Sequence, residues 1–214
     1  MLMLGISSLV SIGLFGCGAL RNHSLAFGYL AWNLLLAWLP LLFAIRLVAV
    51  LQTKRWSSWE AMAISLLWVV FLPNSFYMIS DFIHLQEIRR VDLLYDILMF
   101  TSFIYTGVVL GFSSLYLVHL QFKKRFPNRT VLTLIAAILV ACSGAIYIGR
   151  DLRWNSWDVI TNPGGLLFDV SDRLTHPATY PRMLITIIGF FILLSTMYGL
   201  LWCGARLLQQ IKTD

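Results

Sequence analysis

The sequence predicts an all-α protein: a polytopic transmembrane bundle of about six spans, with a short interfacial helix in the last outer loop. Three observations lead there. Of the 214 residues, 59% are hydrophobic and only 12% are charged. A soluble domain carries about 25% charged residues, so too few charges remain here to cover a water-exposed surface. The apolar residues also fall in long uninterrupted runs, and runs of about 18 or more read as membrane spans. Finally, the charges gather between the runs. Mean hydropathy is +0.79.

The expected spans are Met1 to Leu20, Ser24 to Leu51, Trp59 to Ser80, Leu94 to Leu120, Thr130 to Gly149 and Met183 to Ala205. Together they form a single transmembrane domain over residues 1–214. Each run is long enough for a helix to cross about 30 Å of hydrocarbon at 1.5 Å per residue. Open strands are excluded because lipid cannot satisfy their backbone groups. The first run lacks a basic n-region and an A-x-A-like site, so it reads as a span rather than a cleaved signal. Leu14-Phe15-Gly16-Cys17 matches a lipoprotein cleavage box only faintly. The second run contains Pro40 and Arg46, the latter close enough to its end to snorkel. The fourth is free of formal charge from Ile97 to Phe122.

Basic residues set the expected orientation. Eight fall on one face (Lys54, Arg55, Lys123, Lys124, Arg125, Arg129, Arg206 and Lys212) and seven on the other. Four of those seven, Arg150, Arg153, Arg173 and Arg182, lie in one long loop, which weighs less. The bias favours cytoplasmic N and C termini in a cell membrane. The net charge of +6 thus reflects topology and lipid headgroups rather than nucleic acid, for which no binding motif exists. Cys17, Cys142 and Cys203 all sit in apolar runs, with no spacing for a structural zinc site or a disulfide framework.

Ionisable groups near hydrocarbon are functional candidates by default. Three polar segments stand out, all expected at the outer face. Asn74, Tyr77, Asp81 and His84 close the third span at spacings of 3, 4 and 3. On an α-helix they would fall within about 80° of one face. Such a stripe suits a water-filled cleft, or plain packing between helices. Asp92 and Asp96 open the fourth span. Asp92 is explained by the helix dipole, whereas Asp96 lies deeper and is the better site candidate. Arg150, Asp151, Arg153, Trp154, Asn155, Trp157 and Asp158 leave the fifth span. Arg supplies bidentate donors for phosphate or carboxylate, and Asp a base or a cation ligand. The bland alternative is an interfacial belt of Trp with Arg–Asp pairs. Beyond it, Asn162-Pro163-Gly164-Gly165 reads as a turn. Leu166, Leu167, Phe168, Val170 and Leu174 alternate with Asp169, Asp172 and Arg173 as in an interfacial helix. His23, His119 and His176 are isolated and expected to be solvated.

The segment Phe71-Leu72-Pro73-Asn74, with Tyr77, Asp81, His84 and Leu85, is followed later by Arg153-Trp154-Asn155-Ser156-Trp157-Asp158. Together they resemble the bacterial membrane family called domain of unknown function 1361, over most of the chain. Ser75 and Phe76 depart from the small or Pro-like residues expected there. The resemblance implies location and architecture, and no mechanism.

Three functions compete. The first is a polar ligand or catalytic site at the extracytoplasmic face, acting on a lipid-linked or envelope substrate. Asp81, His84, Asp96, Asp151 and Asp158 would be its catalytic residues. Asn74, Tyr77, Arg150, Arg153, Asn155 and Trp157 would bind the substrate. One well-placed His is thin for zinc, and a carboxylate-bound divalent cation is easier to build. The second is a non-catalytic membrane partner or assembly protein. The third is a small-solute transporter, for which polar midplane groups and an inverted repeat are lacking.

Overall fold

The computed structural model describes residues 1–86, 93–154, 161–176 and 179–211. Among them are seven α-helices: α1 (Leu2–Asn22), α2 (Gly28–Thr53), α3 (Trp59–Tyr77), α4 (Leu93–Lys123), α5 (Asn128–Asp151), α6 (Pro163–Thr175) and α7 (Pro181–Ile211). A 3-10 helix, Met78–Gln86, continues α3. Six helical stretches are long and apolar enough to cross a membrane, namely 2–21, 28–53, 59–85, 93–123, 128–151 and 181–208. The helix between the fifth and sixth, α6, is the short one.

The chain forms two compact units, Met1–Val118 and His119–Asp214. In the first, α2 packs on α3 through matching stripes. Leu30, Leu34, Ala37, Leu41, Ala44 and Leu47 recur every three or four residues on α2, as do Ala61, Ile64, Trp68, Leu72 and Phe76 on α3, and all are buried. That period places them on one helical face. Pro40 lies inside α2 and has no N–H for the preceding turn. In that turn the Ala37 carbonyl accepts from Ser75 Oγ at 3.2 Å. The carbonyl left without its N–H partner by Pro40 is that of Leu36; one residue on, a hydroxyl from α3 reaches into the same turn.

Helix α4 meets α3 closely because Gly107 and Gly111 present no side chain. A Cβ on Gly111 would lie 2.7 Å from the Ser75 Cβ and 2.8 Å from the Phe76 ring. One on Gly107 would strike the Met78 sulfur. Small residues four apart let backbones approach this way. The seam is fastened by Trp68 Nε1 donating to Ser114 Oγ at 2.6 Å and by Phe76 on Phe112, centroids 4.8 Å apart. Helix α1 joins through hydroxyls. Ser7 bonds Thr106 at 2.6 Å, Ser11 bonds Ser102 at 2.6 Å, and Trp38 Nε1 donates to Ser8 at 3.0 Å. In an apolar solvent such bonds hold helices together. Arg46 and Lys54 share Glu60, at 2.6 and 2.5 Å, so the exposed Arg46 guanidinium ends in an ion pair.

In the second unit α5 buries Val131, Ile135, Leu139, Cys142 and Ile146 along one stripe, and α5 packs on α7. His119 is not solvated as expected: it is 4% exposed. Its Nδ1 shares a 2.7 Å hydrogen bond with the Tyr198 hydroxyl, and its ring stacks on Trp202 at 3.9 Å.

Candidate functional site

The third span stops being α-helical at Tyr77. From Met78 the chain tightens into the 3-10 helix, and Ser80 Oγ bonds back to the Tyr77 carbonyl at 2.6 Å. The expected four-residue α-helical stripe is therefore split. Asn74 and Tyr77 belong to α3, where Asn74 Nδ2 reaches the Phe71 carbonyl at 3.2 Å. Asp81 and His84 belong to the 3-10 helix, where a spacing of three eclipses side chains and keeps this pair on one face.

Asp81 is 1% exposed. It accepts a hydrogen bond from Asn33 Nδ2 on α2 at 3.1 Å, so an amide fixes one carboxylate oxygen. His84 meets the Tyr29 ring edge-on, centroids 5.2 Å apart. Tyr29 contacts Phe27 at 6.4 Å, and Phe27 contacts Phe100 of α4 at 5.3 Å. Phe27 also lines a small cavity with Phe15, Gly18, Ala19, Ser24, Met99 and Asp96. Its volume, about 30 Å³, accommodates roughly one water. Asp96 is 6% exposed. Gly18 allows this approach, since a Cβ there would lie 3.0 Å from the Tyr95 ring. Tyr95 in turn donates its hydroxyl to the Leu14 carbonyl. The ring contacts His84–Tyr29–Phe27 thus lead from the 3-10 helix that carries Asp81 to the cavity that Asp96 lines.

The remaining candidates lie in the second unit. Arg150 is half-buried in the last turn of α5, while Asp151 and Arg153 are exposed. Asn155, Trp157 and Asp158 lie outside the described residues. Arg153 adopts a left-handed conformation, φ 57°, and the Trp154 N–H returns to the Ile148 carbonyl at 3.4 Å. This is the helix-ending geometry usually given to glycine. It turns Trp154 onto α6, where its indole donates to Asp169 at 2.8 Å. Gly165 makes room, for a Cβ there would lie 3.0 Å from the Trp154 ring. Trp154 is therefore a fastening for α6.

Helix α6 starts at Asn162, whose side chain accepts from the Gly165 N–H at 3.1 Å, followed by Pro163 at the first helical position, as helix starts favour. Arg173 on α6 bonds the Tyr147 hydroxyl at 3.3 Å, pairs with Asp169 at 3.6 Å and lies 4.8 Å from the Tyr180 ring centroid. Asp172 accepts from the Tyr180 hydroxyl at 2.7 Å and faces His176 Nδ1 at 3.2 Å. The Tyr180 hydroxyl, and next to it His176, hold the Asp172 carboxyl below its usual value despite partial burial. The same bond pushes the Tyr180 phenol up. Burial pulls Arg173 down, but the Tyr147 hydroxyl and its other polar neighbours outweigh it and raise it. Leu167 and Phe168 are 68% and 72% exposed, whereas Asp169, Asp172 and Arg173 on the same helix are half-buried.

Among the described residues no group of three or more His, Cys, Asp or Glu is placed to hold a metal ion. Sequence reasoning passed over Asn33, Tyr29 and Phe27. Asn33 carried a signal, being an amide inside an apolar run.

Helices of this length and apolarity, with polar groups gathered at their ends, define a polytopic helical membrane protein. The chain belongs to the family described as protein of unknown function DUF1361, whose model matches residues 32–197. That range takes in Asn33, Asp81, His84, Asp96 and Arg153, and bears out the resemblance carried by the two motifs. No curated protein matches the chain, and no solved structure does.

Proposed function

We propose that this membrane protein binds, and acts on, the polar end of a lipid-linked or envelope molecule, at the end of the first unit built by Asp81, His84 and Asp96. The extracytoplasmic face is assigned to this end from the distribution of Lys and Arg. One observation carries the proposal. Two carboxylates in an overwhelmingly apolar chain are 1% and 6% exposed. Burying a carboxylate charge costs several kcal/mol unless something repays it, and in membrane proteins such groups usually serve a ligand or proton. Asp81, oriented by Asn33, would accept from a hydroxyl or ammonium group. His84 would move a proton beside it, and Asp96 would receive the part of the ligand that enters the cavity.

The test uses purified full-length protein and chromatographic fractions of a bacterial envelope lipid extract, read by thermal shift. At least one fraction should raise the wild-type midpoint. Asp81→Asn and Asp96→Asn should unfold at the wild-type temperature without ligand yet lose that shift. Asn keeps an acceptor oxygen for Asn33, so its effect reads charge rather than packing. No shift in the wild type, or an undiminished one in both variants, would remove the proposal. The water-sized cavity favours a second reading, a non-catalytic assembly partner. On that reading, Asp81→Asn and His84→Ala fold and function as the wild type does.

A further inference from the structure

We infer that the turn joining α4 to α5 is a selective binding surface for anionic phospholipid headgroups. Helix α4 ends at Lys123 and α5 begins at Asn128, so the turn connects two membrane-crossing stretches and its residues lie at headgroup level. Lys123, Lys124, Arg125 and Arg129 are all exposed. No acidic residue occurs anywhere from Ile97 to Arg150. Among the described residues, none of the four forms an ion pair. Four exposed cations within seven positions exceed what a connecting turn needs for solubility, and they match phosphate chemistry, with Arg as a bidentate donor.

The surface is also shaped for a lipid. Phe126 is 38% exposed between the cations and sits edge-on to Phe122 at 6.3 Å, placing an apolar ring where acyl chains begin. The Lys123 ammonium lies over the Trp202 ring at 5.2 Å. Trp202 is backed by the buried His119, which Tyr198 anchors. This aromatic platform holds one cation in place at the level where Trp prefers to lie. Basic clusters beside membrane spans attract anionic lipid. A soluble phosphate would have no use for Phe126.

The test is tryptophan quenching of the full chain in mixed vesicles containing brominated phosphatidylglycerol or brominated phosphatidylcholine. The wild type should prefer the anionic lipid several-fold, and less so as salt is raised. Neutralising Lys123, Lys124, Arg125 and Arg129 together to Gln should bring the preference to unity. A charge-retaining set (Lys123→Arg, Lys124→Arg, Arg125→Lys, Arg129→Lys) should keep it, which separates lost charge from lost fold. Equal quenching by the two lipids in the wild type would overturn the inference. So would an unchanged preference in the neutral variant, or displacement of the preference by millimolar inorganic phosphate.

Discussion

Gly111→Ala should destabilise the protein although alanine is the better helix former. An added Cβ would lie 2.7 Å from the Ser75 Cβ and 2.8 and 3.0 Å from two atoms of the Phe76 ring. Carbon atoms are comfortable at about 3.5–4.0 Å, so the shortfall approaches 1 Å. Neither neighbour has room to give. Both are 0% exposed, Ser75 is tied to the Ala37 carbonyl, and Phe76 is backed by Phe112. Overpacking of this kind costs about 1–3 kcal/mol, against about 1 kcal/mol gained in helix propensity. A net loss of up to about 2 kcal/mol follows. Gly107→Ala should lose less, since its nearest obstacle is the flexible Met78 side chain, although the Ser75 carbonyl is 3.1 Å away. Gly144→Ala meets nothing within 4 Å and should be neutral or stabilising. The assay is detergent- or heat-induced unfolding of purified protein followed by far-UV circular dichroism. If Gly111→Ala unfolds together with Gly144→Ala, the close α3–α4 crossing is wrong.

Replacing Asn33 by Leu removes the amide donor from buried Asp81. It should cost about 1–3 kcal/mol, while the double variant Asn33→Leu/Asp81→Leu should recover part of it in a double-mutant cycle. Arg153→Gly preserves the left-handed cap and should leave the unfolding midpoint unchanged or raised, whereas Arg153→Val should lower it. If the Gly variant keeps its stability but loses ligand response, the guanidinium itself serves the site. The anchoring of α6 should be flat with pH across a wide window. The contribution of Asp172, ordinarily at 3.8, is full above that value and fades as pH falls through its lowered folded value. That of Tyr180, ordinarily at 10.0, is full below that value and fades as pH rises through its raised one. Protection factors from hydrogen exchange across α6 should show the plateau between pH 4 and 10, and Tyr180→Phe should lower them throughout it.

The spans were legible because hydrocarbon demands long apolar helices, and little else satisfies that demand. Their starts fall within a few residues of expectation, while α4 and α7 run further at their C-terminal ends, where polar residues extend a helix beyond the hydrocarbon. The 3-10 helix was not legible. The reading of Asn74 to His84 assumed 3.6 residues per turn, and only Pro73 and the back-bonding Ser80 hint that the period tightens. His119 was misread because its partners, Tyr198 and Trp202, lie about eighty residues away. Asn33 could have been suspected, but its partner Asp81 is 48 positions distant. Ser75, marked as a departure from the family pattern, turns out to serve the proline-loosened turn of α2 and the glycine contact of α4. A small hydroxyl residue does there what a hydrophobic one could not.

These contacts redistribute the functional weight of the charged residues. Asp169, Asp172 and Arg173 are accounted for by one another and by Trp154, Tyr147, Tyr180 and His176. Together they hold an amphipathic helix so that Leu167 and Phe168 face outward, a task that needs no ligand. Asp151 and Arg153 are exposed, and the backbone at Arg153 has a structural reason of its own. Asp81 and Asp96 are the buried carboxylates among the described residues. They are buried at the ends of apolar helices, one steered by an amide and one beside a cavity large enough for roughly one water. Apolar residues of similar size would pack the same space without the desolvation cost. These two buried carboxylates are therefore where substitution should separate fold from function most cleanly.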